Sequence, residues 1–296
     1  MKNLAALGLI IAVTACSQTP AQEPNSHEFS EPVKLVQLKD KTIQEASGLA
    51  ASIANAEMLW THNDSGNAAE VFLIDKDLNI KLTCVLKGVD NRDWEDIAVG
   101  PGPEEGVNYV YVAEIGDNFA QYAYKYIYRF KEPRLQDVDG SVFVVEDFEL
   151  ITFKLSDGRK DTETLMVHPK TKDLYVVSKR ESPVVVYRLT NPTTTSDTLV
   201  AEIVGKVKTS QIVGGDISPD GSEVLLKNYS NIFYWKVDGK ETVEQAFVRE
   251  PNFLPYEEEP QGEAIAFARD GKGFYTISEI VKGEKSYLSF YKRNGK

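Results

Sequence analysis

The sequence predicts an all-β fold, and three observations point to it. Short segments rich in Val, Ile, Tyr and Phe alternate apolar and polar residues along most of the chain, the period-two pattern of strands with one buried face. Gly, Asp, Asn and Pro punctuate these segments as turn formers. No amphipathic stretch exceeds two helical turns, and the segments recur as an internal repeat.

Five segments open the repeat: EASGLAAS (45–52), DWEDIAVG (93–100), DTETLMVH (161–168), VGGDISPD (213–220) and QGEAIAFA (261–268). Second strands follow as MLWTHND, YVYVAEIGDN, DLYVVSKR, EVLLKNYS and GFYTISE, and third strands as AEVFLID, YKYIYRF, VVVYRLT, NIFYWKV and YLSFYKR. Four repeats continue into a fourth strand: IKLTCVL, VEDFELITFKL, TLVAEIVG and VEQAFVR. Residues 47, 95, 163, 215 and 263 then correspond, at spacings of 48, 68, 52 and 48. Four strands in a period of about 40–50 residues are the signature of a β-propeller. The last repeat ends one strand short, and PVKLVQL (32–38) supplies it. The expectation is a five-bladed propeller whose last blade is closed by the N-terminal strand. A sixth blade inside the 68-residue interval is the alternative.

The first 16 residues read as an export signal. Met1-Lys2 is a positive start, residues 4–15 are apolar but short for a bilayer span, and Val13-Thr14-Ala15 precede Cys16. The ending resembles a bacterial lipobox. That implies lipidation of Cys16, and Ser17 after it implies the outer membrane, on its periplasmic or its surface side. Residues 17–31 are polar and predict a flexible tether, leaving 32–296 as one propeller domain. A formal charge of −12 argues against nucleic-acid polymers and anionic lipid as partners and suits a cation. Cys84 in KLTCVL reads as a core cysteine. Trp60, Trp94 and Trp235 read as packing between sheets, and Glu257-Glu258-Glu259 as a solvated loop. The sequence holds no phosphate loop, zinc signature or nucleophile elbow.

In a propeller the first strand of each blade lines the axis, and side chains two apart share a face. One ring is then Ser47, Glu95, Glu163, Gly215 and Glu263, and the next is Glu45, Asp93, Asp161, Val213 and Gln261. Carboxylates gathered at about 4–6 Å raise one another's pKa and call for protons or a cation. Three carboxylates, a hydroxyl and water suit Ca2+, whereas the absence of His from the rings disfavours zinc. Asp96 faces away from the rings, with no role legible in the sequence.

With these residues the chain resembles the soluble calcium-activated nucleotidases (apyrases). The resemblance implies a five-bladed propeller with a calcium in its tunnel, held by one Ser or Glu from each inner strand: here Ser47, Glu95, Glu163 and Glu263. Gly215 departs from that pattern, and Asp216 substitutes if the strand slips by one. The HND-SG segment (62–66) also looks similar. The family's basic residues after the second strands bind phosphate, and Lys179-Arg180 and Lys227 fall at similar places. The longer basic and aromatic insertions associated with nucleotide recognition are not evident.

Loops at one end of a propeller collect His62, Asn63 and Asp64, Glu114, Asp117 and Asn118, Lys179 and Arg180, Lys227 and Asn228, and Glu279. Asp64 and Glu114 are the candidate catalytic residues, positioning a water. His62, Asp117, Asn118, Lys179, Arg180 and Lys227 are the candidate substrate-binding residues. Two functions remain open. One is a lipid-anchored, calcium-dependent phosphohydrolase acting on nucleotides or other small phosphate esters. The other is a non-enzymatic envelope propeller with structural calcium, binding a carbohydrate or peptide.

Overall fold

The computed structural model describes residues 20–193 and 195–295. The signal segment, Cys16 and residues 17–19 of the expected tether lie outside them. Within the described residues the fold is all-β, and its strands form antiparallel groups. After β1 (Phe29–Gln37) the first group is β2 (Ala46–Ala51), β3 (Leu59–Asn63), β4 (Glu70–Ile74) and β5 (Ile80–Leu86). The second is β6 (Trp94–Pro101), β7 (Asn108–Glu114), β8 (Lys125–Lys131) and, beyond a short β9 (Val142–Val145), β10 (Glu149–Leu155). The third is β11 (Thr162–Val167), β12 (Leu174–Ser178), β13 (Val184–Leu189) and β14 (Leu199–Val207). The fourth is β15 (Ile212–Ile217), β16 (Glu223–Asn228), β17 (Ile232–Lys236) and β18 (Asn252–Leu254). The last is β19 (Ala264–Phe267), β20 (Gly273–Ile277) and β21 (Tyr287–Arg293), with β1 returning to pair antiparallel with β21.

Parallel pairing of β10 with β14 joins the second and third groups into one eight-stranded sheet. Its end strands, β6 and β11, pack together, so this sheet nearly closes on itself. The same kind of packing continues through the other first strands. β11 lies against β15, β15 against β19, β19 against β2, and β2 against β6. These strands are buried almost throughout. At their far ends, residues from each of them, among them Ala50, Val99, Val167, Ile217 and Phe267, wall a cavity of about 200 Å³. Trp60, Trp94 and Trp235 are fully buried between sheets, as their apolar surroundings in the sequence predict. Cys84 is buried too, and burial pushes its thiol up to about 12.

Three expectations are corrected. VEQAFVR does not form a fourth strand; Val243–Ala246 is a single helical turn. Thr242 and Gln245 cap it reciprocally, and Val243 and Ala246 are its buried face. The fourth strand of that group is β18 instead. In the long interval, the extra residues form β9, which adds in parallel to the outer edge of β5. Its Val-Phe-Val-Val run covers an existing edge and founds no additional four-stranded group among the described residues. Finally, the expected tether is docked from Pro20 onward. Asn231 accepts from Gln22 N at 2.7 Å and donates to Pro20 O at 3.0 Å, and Phe253 N donates to Asn25 Oδ1 at 2.8 Å. β1 therefore begins at Phe29, three residues before Pro32.

Asp96, unexplained by the sequence, ties adjacent first strands. Its buried carboxylate accepts from Ile97 N at 2.8 Å and from Leu165 N of β11 at 2.9 Å. Asp216 does the same two junctions further on, between β15 and β19, accepting from Ile217 N at 2.8 Å and Phe267 N of β19 at 2.8 Å. Each satisfies a backbone donor that packing removes from water. Replacing Asp96 or Asp216 by Ala leaves those donors bare, and each substitution is expected to cost about 1–3 kcal/mol in urea unfolding. Asp216 also carries a pH signature. Burial raises its carboxyl to about 7 against the two backbone donors, far above its unfolded value of about 3.9. Between those values the native state holds a proton that the unfolded chain has released, so stability falls as pH rises from about 4 through 7. Urea midpoints of the wild type relative to Asp216→Asn are expected to decline across that window and level off above it.

Candidate metal centre

Four of the first strands, β2, β6, β11 and β15, carry register irregularities of the β-bulge kind near their starts. In β6 the bulge is Glu95, between the pairs Trp94↔Glu114 and Asp96↔Ala113. In β11 it is Glu163, between Thr162↔Ser178 and Thr164↔Val177. The irregularity in β2 spans Ser47 and Gly48. In β15 it falls on Val213, between Ile212↔Asn228 and Gly214↔Lys227. Val213, not Gly215, is therefore the counterpart of Ser47, Glu95 and Glu163. Gln211 and Gln261, two residues before Val213 and Glu263, share a left-handed backbone with φ of 59° and 43°. The expected correspondence of the fourth repeat was two residues out, because VGGDIS offers no side-chain marker for its bulge. Asp216 is not a substitute ligand, since its carboxylate is engaged on β19 as described.

Three glutamates meet at one point, Glu95 and Glu163 from these bulges and Glu263 from the residue before β19. Glu95, Glu163 and Glu263 each contribute a carboxylate oxygen, all within 4.8 Å of one another, and all three side chains are buried. A second trio, Asp64, Asp93 and Glu95, shares Glu95 at the same spacing and is more open. Ser47 Oγ donates to the Glu95 carbonyl at 2.5 Å and lies 3.3 Å from Glu263 Oε2. At Gly116 any Cβ would stand 2.0 Å from Glu95 Oε1 and 2.5 Å from Asp93 Oδ2, so only glycine fits beside the acids.

The charge is partly compensated. Lys179 Nζ is 2.9 Å from Glu163 Oε1, and Tyr229 OH donates to Glu263 Oε1 at 2.7 Å. Burial, then the neighbouring carboxylates Glu163, Asp64 and Glu263, hold Glu95 well above the usual carboxylate range. Burial also raises Glu163 to about 8, with Lys179 opposing and Glu263 adding to the shift. Asp64 is raised to about 6 by burial, with Glu263 and Asp93 nearby. Glu279 is raised to about 8 by burial and by the charges of Glu263, Asp64 and Glu45. Burial alone would lower Lys179, but Glu163 and Glu263 outweigh it and hold the ammonium above its ordinary value.

The structure brings some of the expected mouth residues together and removes others. Asp64 stands beside Asp93 and Glu95. Arg180 Nε pairs with Asp161 Oδ2 at 2.7 Å, and the guanidinium also donates to Asn118. Asp117 closes its own loop, accepting from Gln121 N at 2.7 Å and Tyr122 N at 2.8 Å while its N–H donates to Asp161 Oδ1 at 2.9 Å. Glu114 lies outside both acidic trios, 3.4 Å from Arg92 and 3.3 Å from Tyr128 OH. His62 is fully buried, edge-on to Trp94 with centroids 5.7 Å apart, and burial lowers it to about 4. Lys227 occupies the matching position of the fourth group. It is also fully buried, donates to the Gly262 carbonyl and faces the Tyr256 ring at 4.7 Å, and burial lowers it to about 8. Neither His62 nor Lys227 is placed to meet a ligand at the mouth, which corrects both expectations.

Tyr229 takes the place expected of Lys227. It directly follows the second strand of its group, as Asp64 and Lys179 do in theirs, and only the two-residue slip reveals it. Glu259 was expected in a solvated loop, but it turns inward and accepts from Thr276 Oγ1 at 2.6 Å. Lys125 is a further residue that the sequence did not mark: it is buried, donates to the Ile115 carbonyl, and burial lowers it to about 8. No protein-family model matches this chain, and no curated protein matches it.

The Lys179–Glu163 pair yields a test of the site's electrostatics. Lys179→Met leaves Glu163 buried without its counter-ion and is expected to destabilise the fold by about 3–5 kcal/mol. Adding Glu163→Gln should recover most of that loss, because the double variant buries no unpaired charge. A double-mutant cycle by urea unfolding measures the coupling.

Proposed function

We propose that this chain is an exported, calcium-binding five-bladed β-propeller, lipid-anchored through Cys16. Its axial ion would be held by Glu95, Glu163, Glu263 and Ser47. The blade assignment is supported by the antiparallel groups, by the closed circuit of packed first strands and by the β1–β21 pairing. One observation carries the metal reading: three buried glutamates from three separate strands converge within 4.8 Å. The donor set fits a hard cation, because its side-chain ligands are all oxygen and water completes the 6–8 ligands that Ca2+ takes. Bound there, the ion would supply the positive charge that Lys179 alone does not.

The binding reading is favoured because the expected phosphate-clamping cations are already engaged. Lys179 is on Glu163, Lys227 is enclosed, and Arg180 is held by Asp161 and Asn118. The envelope ligand would then be a carbohydrate or peptide. A second reading, a phosphohydrolase acting on nucleotides or other phosphate esters, draws on Asp64. With its carboxyl at about 6, Asp64 is ionised at neutral pH and would accept a proton from an attacking water beside the acidic trio.

Thermal unfolding in calcium and in EGTA tests the metal. Calcium at a hundred times its Kd contributes about 2.7 kcal/mol, a rise of roughly 5–10 °C in Tm for a domain of this size. Glu95→Gln and Glu263→Gln should abolish the rise. An equal rise in those variants, or none in the wild type, removes the metal reading. Phosphate release from nucleoside di- and triphosphates and phytate then separates the two functions. Turnover that is lost both in EGTA and in Asp64→Asn establishes the hydrolase, and its absence leaves the binding module.

A further inference from the structure

The docked N-terminal segment fixes where an anchor must attach. Pro20 and Gln22 are held by Asn231, in the turn between β16 and β17. The same turn carries Tyr229, whose hydroxyl is bonded to Glu263 of the acidic centre. From there the chain runs to the far end of the strands, where Glu28 pairs with Lys236 and its carbonyl accepts from Asn294 N. β1 then returns toward the acidic end, since Gln37 pairs with Tyr287. Pro20 is therefore on the face where the acids open. Only residues 17–19 separate it from Cys16, and four chain steps reach at most roughly 14 Å.

A second feature marks the same face independently. The loop after β7 exposes Phe119 (82% accessible), Tyr122 and Tyr124. It adjoins Asn118, which accepts from Arg180. The Arg92 guanidinium lies 4.1 Å from the centre of the Tyr122 ring. Ile280 is exposed on the loop after β20, next to Glu279, which feels the charges of Glu263 and Asp64. A cluster of exposed apolar side chains on one loop, unlike a single one, marks an interaction surface, and the tyrosines' polar ends favour the membrane–water interface.

We infer that the acidic mouth faces the membrane, with the Phe119–Tyr124 loop seated on zwitterionic lipid headgroups. The inference rests on the reading of Cys16 as acylated and is independent of the metal. A tether pinned at Asn231 and limited to about 14 Å holds this face against the bilayer, whereas a free tether of fifteen residues would allow any orientation. The three glutamates are buried, whereas Arg92 is half-buried and Arg180 is exposed. A zwitterionic surface is therefore tolerated despite the formal charge of −12. Ligands reaching the mouth are then those presented at the lipid surface.

Depth-dependent quenching tests the orientation. The full acylated chain is reconstituted into phosphatidylcholine vesicles containing a headgroup-labelled quencher lipid. A fluorophore is attached at Phe119→Cys or, at the opposite end of the strands, at Lys170→Cys. Cys84 is buried and does not label. The expected result is several-fold stronger quenching at position 119 than at 170, with a blue-shifted emission. Equal quenching, stronger quenching at 170, or none at either site overturns the inference. Mass spectrometry of the N-terminal peptide reports the anchor separately. An unmodified Cys16 overturns the anchor and the orientation together, whereas an acylated chain that fails the quenching test overturns the orientation alone. As a further check, Asn231→Ala unpins Pro20 and Gln22 and should reduce the contrast between the two positions.

Discussion

The constraint on which the rest of the structure depends is the enforced proximity of buried carboxylates. Packing the first strands against one another brings Glu95, Glu163 and Glu263 within 4.8 Å in a region with little access to water. Left to themselves, three such charges would drive those strands apart or take up protons. The surroundings respond to that demand. Lys179 comes from the end of β12 to Glu163, Tyr229 reaches across from the next group to Glu263, and Ser47 bonds the Glu95 backbone. Tyr229 and Ser47 come from groups other than those of the acids they serve, whereas Lys179 follows β12, the partner of Glu163's own strand. The centre therefore forms only when the circuit of strands is complete.

Other polar residues reinforce that circuit. Asp96 and Asp216 bond the backbone of the next first strand, and Lys227 reaches the carbonyl before Glu263. Where no side chain serves, glycine lets the backbones touch: a Cβ at Gly214 would lie 2.4 Å from the Glu263 carbonyl. Buried polar ties of this kind specify which strands meet, because a shift in register would strand a desolvated donor or acceptor. The same economy explains why several cations that look like ligand-binding residues are internal. Lys179 and Arg180 hold the fold's own carboxylates, and Lys227 and Lys125 are engaged on backbone carbonyls.

Much of the fold was legible in the sequence. The alternation and the turn residues marked nearly every strand, and the shortfall at the C-terminus pointed to β1 as the partner of β21. Ser47, Glu95, Glu163 and Glu263 were recognisable because an acid or hydroxyl recurs at the same place in each opening segment. The fourth repeat was misread for a physical reason. A bulge is a backbone event, and Ile-Val-Gly-Gly carries no side chain whose chemistry reports it. VEQAFVR was misread because its apolar spacing suits a strand and a helical turn alike, and the Thr242–Gln245 cap decides between them.

By itself, the sequence determined the class of fold, the number of repeated segments and the set of acids that could share a centre. Those follow from periodicity and composition, which are local properties of the chain. Only the tertiary structure decided which polar residues face the centre and which are enclosed. His62 and Asp64 are two residues apart, yet one is packed against Trp94 and the other stands among the acids. The same is true of Lys227 and Tyr229. Which way such side chains point depends on bulge position and on the neighbouring strand, and contacts between residues about fifty positions apart set both.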